Sequence, residues 1–168
     1  MNNTRRVVTL SLFTAISVII SIVEASLPVI SAVPGGKLGI SNAIFIILMY
    51  KYSVKDAVIV NIMRTVISSL LYGGVNSLIY SFSGALLSSI VMIVLFLSFK
   101  NKISPVGLSV AGAFFHNLAQ VSIAAVLVKS FYVYYYFSYL AFISIISGIV
   151  TGIFAKFYIE FTKGEVYK

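Results

Sequence analysis

Apolar residues occur in long runs along the chain, and Pro, Gly and Lys residues interrupt these runs at intervals. The runs lack the period-two alternation of a membrane β-barrel, so they predict helices, whose backbone groups bond to one another. Divided at the interruptions, the pattern predicts six apolar segments. They are residues 7–27, 38–52, 57–72, 77–99, 106–128 and 134–158.

The second and third segments are shorter than the roughly 20 residues that a spanning helix needs. Three arrangements fit such segments: they tilt little, they draw in flanking residues, or they end at a recessed pocket. We favour the recessed pocket.

Composition assigns the chain to the membrane proteins. Hydrophobic residues make up 60% of it and charged residues 10%, with a mean hydropathy of +1.08. A soluble surface needs about a quarter or more charged residues. We therefore expect an all-α membrane protein, a six-transmembrane-helix bundle in which residues 1–168 form a single domain. The first run is long enough to span and lacks a small-residue cleavage site, so we expect it to be retained. Cysteine is absent, which excludes disulfides and thiol ligands.

The basic residues predict the orientation of the bundle. With both termini in the cytoplasm, most Lys and Arg residues lie inside, as the positive-inside rule requires. The net charge of +8 then reflects topology and attraction to anionic membrane lipid, and we expect no nucleic-acid partner. The inside residues are Arg5, Arg6, Lys51, Lys55, Lys100, Lys102, Lys156, Lys163 and Lys168, and the outside residues are Lys37 and Lys129.

In this orientation three connections lie outside: residues 28–37, the Gly73-Gly74 turn, and the Tyr-rich residues 129–136. We expect all three to close over one outward-facing pocket. The inner connections are short and basic, with no room for a catalytic domain. Any energy source must then come from another chain or from a gradient.

Arg64 lies about midway along an apolar segment, where an unpaired guanidinium costs several kcal/mol. It belongs to a stripe of polar residues at helical spacing, and other helices carry similar stripes that should face inward. The stripes are Asn61, Arg64, Ser68 and Tyr72; Asn76, Tyr80, Gly84 and Ser88; His116 and Gln120, with Asn117 beside them; and Ser17, Ser21 and Glu24.

These groups fit two interpretations. An arginine fork suits a carboxylate or phosphate, while amides and a neutral imidazole suit a polar ring or headgroup. Alternatively, Arg64 pairs with Glu24 or with helix-end carbonyls, and the amides join helices by hydrogen bonds of about 0.6 to 2 kcal/mol each. The Tyr-rich segment favours an interfacial belt over a lid that stacks on a ligand. Small-residue faces such as Ser144, Gly148 and Gly152 permit close helix approach, and which of them is exposed stays open.

Several chemistries are excluded by missing residues. Gly36-Lys37 lacks the rest of a Walker loop, and Asp56 is the only aspartate, so the paired aspartate clusters of a prenyl synthase are absent. One His without Cys or a carboxylate cluster makes a metal site unsupported. We expect no catalytic residues, no metal and no cofactor.

Six stretches of the chain resemble the Gx transporter family, whose members are also described as heptaprenyl diphosphate synthase component I. The stretches are GKLGISN at 36–42, Arg64, LYGG at 71–74, YSFSG at 80–84, GLSVAGA at 107–113 and HNLAQ at 116–120.

This family is similar to the S components of energy-coupling factor (ECF) transporters. The similarity implies a ligand near the outer side, under the loops after helices one, three and five. It also implies a transmembrane coupling protein and two ATPase subunits as partners. S components often carry Ala-x-x-x-Ala in the first helix for that coupling protein, and Ser11-x-x-x-Ala15 and Ser17-x-x-x-Ser21 approximate it.

Our sequence-based hypothesis is an S component in a bacterial cytoplasmic membrane that captures a small vitamin-like, anionic or aromatic solute from outside. Arg64 would anchor negative charge and Lys37 would lie in the closing loop. Two alternatives stay open: a membrane subunit of a flavin-linked or quinone-linked redox system, as the association of related Gram-positive genes suggests, and a non-catalytic membrane component of prenyl diphosphate synthesis for the menaquinone side chain. The other predicted site residues are His116, Asn117, Gln120, Asn76, Tyr72, Tyr80, Asn42 and Glu24.

Overall fold

A computed structural model of the chain describes residues 3–26, 39–99 and 102–162, and these residues form six α-helices. The predicted all-α membrane fold is confirmed, and the helix ends differ from the predicted ones by only a few residues. The helices are α1 (Asn3–Ser26), α2 (Ile40–Lys51), α3 (Val54–Tyr72), α4 (Gly74–Ser98), α5 (Pro105–Val128) and α6 (Val133–Phe161).

Polar caps make α3 begin before its apolar run, and a similar cap defines the start of α5. Ser53 is the N-cap of α3, and its hydroxyl accepts the backbone N–H of Asp56 at 3.1 Å. Ser104 caps α5 in the same way, accepting the N–H of Gly107 at 3.0 Å, with Pro105 in the first turn. Such caps satisfy backbone donors that the first turn leaves without helical partners.

Two tight connections reverse the chain at one end of the bundle. Only Gly73 separates α3 from α4, and Gly74 has a φ of 66°, a conformation that glycine adopts easily and other residues rarely do. At the end of α5, Lys129 has a φ of 53°, and the N–H of Ser130 bonds to the carbonyl of Ala125 at 3.1 Å. The predicted Gly73-Gly74 turn is therefore present.

The helices are apolar outside and polar inside, the arrangement expected in lipid. By length and composition α1, α4, α5 and α6 could each cross a membrane. Their outward faces expose large apolar side chains such as Leu12, Val94 and Phe142, while Ser17, Asn117 and other polar residues are buried. This distribution reverses that of a soluble protein, so the chain is a membrane protein.

Helix α2 lies at the centre of the bundle and contacts α1, α3, α5 and α6. Residues 43–49 are all buried, as expected for a helix that is hydrophobic on every side. With 12 residues it is about 18 Å long, well short of the hydrocarbon thickness. One end of α2 therefore stops inside the bundle, which fits the recessed pocket preferred for the second segment. The same preference is wrong for the third segment, because α3 draws in residues 54–56 and reaches 19 residues.

The small residues of α6 face the bundle interior. An added Cβ at Gly148 would lie 2.6 Å from the Cα of Val110, and one at Gly152 would lie 2.5 Å from the Cα of Val106. Only glycine permits α5 and α6 to approach this closely. The question that the sequence left open is answered for this face: it packs against α5 and is not a surface for a partner.

At the other end of the bundle, side chains join the helix termini. Arg6 of α1 bonds to Asp56 of α3, and the Tyr50 hydroxyl donates to the carbonyl of Ile103 at 2.5 Å. Lys51 donates to the carbonyl of Thr162, just beyond α6. The charge distribution predicts that this end is cytoplasmic, and we call it the inner end and the opposite one the outer end.

Candidate functional site

A polar cavity of about 80 Å³ lies in the outer half of the bundle, and all six described helices or their ends line it. Its volume accommodates several water molecules or a solute of a few heavy atoms. Hydroxyl groups dominate the lining. The eight hydroxyl residues are Ser21, Ser41, Thr65, Ser68, Ser69, Ser77, Ser81 and Ser147.

Arg64 is a cation in the lining of this cavity and is 7% exposed. Its Nη1 donates to Ser41 Oγ at 2.6 Å, and its Nη2 donates to Asn42 Oδ1 at 3.0 Å and to Asn61 Oδ1 at 2.6 Å. The buried Nε has no hydrogen-bond partner among the described residues. A buried donor without a partner costs about 1–3 kcal/mol, so this N–H is available to a ligand or to water.

Glu24 supplies the opposite charge at the point where α2 begins. The carboxylate is 4% exposed; its Oε1 accepts the N–H of Ile40 at 2.7 Å, and its Oε2 accepts the hydroxyl of Ser41 at 3.2 Å. A carboxylate at a helix N-terminus is stabilised by the backbone donors and by the helix dipole. Glu24 thus orders the recessed end of α2 while also lining the cavity.

A second set of hydrogen bonds holds the amides of the site in place. Asn61 Nδ2 donates to Ser89 Oγ at 2.8 Å, so the oxygen that receives Arg64 is oriented by α4. Asn117 Nδ2 donates to Ser144 Oγ at 2.8 Å, which joins α5 to α6. These bonds fit the interpretation of the amides as interhelical contacts, and they also fix the geometry around the cavity.

His116 lines the cavity from α5 and packs against Gly84 of α4. A Cβ added at Gly84 would lie 2.7 Å from His116 Nε2, so the imidazole occupies the space that a larger residue would fill. The absence of a side chain at position 84 therefore sets where His116 lies.

The structure brings together half of the predicted site residues. Arg64, Glu24, Asn42, His116 and Asn117 line the cavity. Tyr80 and Gln120 are half-buried and do not line it, and Asn76 is exposed. The side chain of Tyr72 and the whole of Lys37 lie outside the described residues.

The inward stripe predicted on α4 is wrong at its first member. Asn76 is the third residue of α4 and is exposed, whereas the next residue, Ser77, lines the cavity. Gly84 and Ser88, two and three turns further on, are buried as predicted. Helical spacing places residues on one face, but the rotation of the helix decides which face points inward, and at this end of α4 it is the face of Ser77 and Ser81.

Sequence reasoning missed two residues that bond directly to the guanidinium. Ser41 precedes Asn42 in the GKLGISN stretch, and its hydroxyl contacts both charged groups. Asn61 was placed on the Arg64 stripe but not in the site, although it lies one turn before Arg64. The i, i+3 spacing of Asn61 and Arg64 is the signal that identifies the contact.

Among the described residues, no three His, Cys, Asp or Glu side chains come together in a group that could bind a metal ion. The prediction for the Tyr-rich segment can be compared with the structure. In the Tyr-rich segment, Tyr132 and Tyr135 are each 79% exposed, stack on one another and do not line the cavity. Their position fits an interfacial belt better than a lid.

The comparisons with known proteins identify the family. The family described as heptaprenyl diphosphate synthase component I matches residues 13–158, most of the chain. The chain belongs to this family. This match confirms the family resemblance that the sequence motifs indicated. The cavity and the hydrogen-bond partners of Arg64 all lie within the matched residues. No curated protein and no solved structure matches the chain.

Proposed function

We propose that this protein is the membrane-embedded solute-binding component of an uptake system, similar to the S components of ECF transporters. It would capture a small solute from outside a bacterial cytoplasmic membrane and catalyse no reaction itself. The observation that carries this proposal is Arg64, a buried cation on a polar cavity whose Nε has no partner among the described residues. Intramembrane ionisable groups that face a cavity are typical of substrate pathways.

The position of the cavity supports the same proposal. It lies in the outer half of the bundle, and the resemblance to S components implies a ligand near the outer side. Its lining combines hydrogen-bond donors and acceptors on rigid helices, as expected of a site that selects a polar solute.

A coupling partner would have a distinct surface available. An apolar groove of about 900 Å³ runs between α1 and α3, and its lining includes Ser11 and Ala15. Both residues are exposed, unlike the small residues of α6, and small side chains permit close approach of another helix. We propose that the transmembrane coupling protein docks in this groove. The two ATPase subunits would bind to the coupling protein.

Native mass spectrometry of the protein, gently extracted from its own membrane, tests the proposal. We expect a defined small-molecule adduct in the parent protein, and loss of that adduct in Arg64→Lys, which keeps the charge but not the planar fork. Arg5→Lys is the matched control, because Arg5 is exposed near the inner end and lines neither the cavity nor the groove, and it should retain the adduct. An Arg64→Lys protein that keeps the adduct, or a parent that carries none, would contradict the site.

A second function is favoured by the description of the family. A non-catalytic membrane component of heptaprenyl diphosphate synthesis would copurify with a prenyl synthase subunit, and the same spectra would record that chain. Catalysis by this chain alone is not proposed, because its single aspartate, Asp56, is bonded to Arg6 and Ser53. Copurifying ATPases would support the uptake function. A copurifying synthase subunit would favour the role in prenyl diphosphate synthesis, and a copurifying flavoprotein would favour a redox role.

A further inference from the structure

The cavity is lined by one positively and one negatively charged side chain, and both are buried. Arg64 and Glu24 are the carriers of formal charge among its described lining residues, and they are 7% and 4% exposed. The formal charges of the described lining residues therefore sum to zero. In a low-dielectric interior this balance restricts the charge that a ligand can bring.

The two charged groups are neighbours, although they do not touch. Ser41 Oγ receives the Arg64 Nη1 donor at 2.6 Å and donates to Glu24 Oε2 at 3.2 Å. Two consecutive hydrogen bonds place the guanidinium and the carboxylate within about 6 Å of each other. A ligand whose acidic and basic groups are attached to the same carbon atom can therefore contact both Arg64 and Glu24.

Each charged group also keeps unused hydrogen-bonding capacity. A guanidinium has five N–H donors, and three of those on Arg64 are used within the described residues. Each Glu24 oxygen accepts one described hydrogen bond, whereas a carboxylate oxygen can accept two. Arg64 N–H donors that no described residue uses thus lie beside Glu24 lone pairs that no described residue uses.

We propose that the solute is a small zwitterion whose carboxylate and ammonium groups are close together, as in an α-amino acid; this inference rests on the proposed function. The carboxylate bonds to the free N–H groups of Arg64, and the ammonium bonds to Glu24. A simple anion would leave Glu24 without a nearby compensating charge, and a simple cation would do the same to Arg64. Neither Phe nor Tyr occurs among the described lining residues, so the aromatic solute considered from the sequence is not favoured.

The test measures binding to the full-length protein in lipid nanodiscs by isothermal titration calorimetry. The probes are glycine, L-alanine and L-serine, each compared with its deaminated acid and its decarboxylated amine. We expect at least one amino acid to bind about tenfold or more tightly than both of its single-charge counterparts. Equal or tighter binding of an acid or an amine, or no binding of any amino acid, would overturn the zwitterion assignment.

Glu24→Gln gives a second, sharper readout. The amide keeps an oxygen that can accept the Ile40 N–H but removes the negative charge, so the cavity becomes formally cationic. We expect the ratio of acid to amino-acid affinity to rise about tenfold or more in this variant. Asp56→Asn, which neutralises a carboxylate at the inner end, should leave the ratio unchanged, and Glu24→Asp should preserve the zwitterion preference if Glu24→Gln does not fold.

Failure of this inference is distinguishable from failure of the proposed function. If native mass spectrometry finds a solute adduct that depends on Arg64 while the amino-acid probes do not bind, only the zwitterion assignment is lost. If no adduct is found and no probe binds, both are lost.

Discussion

The two ends of the bundle each place an arginine near a carboxylate, yet they join the two groups in different ways. At the inner end Arg6 donates directly to Asp56 Oδ1, through Nε at 2.9 Å and Nη2 at 2.5 Å. The Ser53 hydroxyl donates to the other carboxylate oxygen. At the outer end Ser41 lies between Arg64 and Glu24.

The difference shows how a structural pair and a site can be told apart. The Arg6 side chain is 44% exposed, so its charge stays in contact with water, although the Asp56 carboxylate that it contacts is buried. Arg64 and Glu24 are both buried beside a polar cavity, with donors and acceptors that no described residue uses. A direct pair joins α1 to α3, whereas the bridged pair has capacity for a third group.

The largest expected effect is the loss of Arg64. We expect Arg64→Ala to lower the free energy of unfolding by about 3–5 kcal/mol, because Glu24 stays buried without its counter-charge. Arg6→Ala should cost less, about 1–2 kcal/mol, because Arg6 is half in solvent and the buried Asp56 keeps its hydrogen bond from Ser53. Denaturant unfolding in mixed micelles measures both, and equal costs would remove the distinction between the two ends.

Neutralising the carboxylates should produce a smaller contrast in the same direction. Glu24→Gln keeps a hydrogen-bond acceptor for Ile40 but leaves Arg64 unopposed, so we expect a loss of about 2–3 kcal/mol. Asp56→Asn should lower the free energy of unfolding by about 1 kcal/mol. A greater loss in Asp56→Asn, measured in the same micelles, would show that the inner pair is the more important for stability.

A change in the wall of the cavity separates binding from stability. In Gly84→Ala the new methyl group would displace His116, and because a side chain can yield we expect a cost of about 1 kcal/mol and weaker solute binding. Gly107→Ala is the control near the inner end, where the nearest described contact is an ordinary 3.4 Å to Ser104 Oγ. Calorimetry that finds unchanged solute affinity in Gly84→Ala would remove His116 from the site.

The smallest expected effect is the response to salt. Raising the ionic strength should weaken the coupling between Arg6 and Asp56 by about 0.5 kcal/mol, since the half-exposed Arg6 side chain is accessible to salt. The coupling between Arg64 and Glu24 should change less, because both groups are buried. Double-mutant cycles at low and high salt measure the two couplings, and a stronger salt response at the outer pair would indicate that water reaches it freely.

Much of the fold could be predicted because the lipid environment imposes simple rules. Long apolar runs must be helices, and a guanidinium within such a run must face the interior, as Arg64 does. Whether Tyr80 and Gln120 line the cavity could not be predicted in the same way. Both belong to polar stripes, yet neither lines the cavity, because helix rotation and depth decide which part of a stripe reaches it.

The sequence by itself determined that this chain is a helical membrane protein, which family it resembles, and that Arg64 needs polar partners. These conclusions depend on composition, period and motif, which are local properties. Only the tertiary structure decided that Ser41 lies between Arg64 and Glu24, and that α2 ends at the cavity. Glu24, Ser41 and Arg64 come from three different helices, and their contact depends on how those helices pack, which no local pattern records.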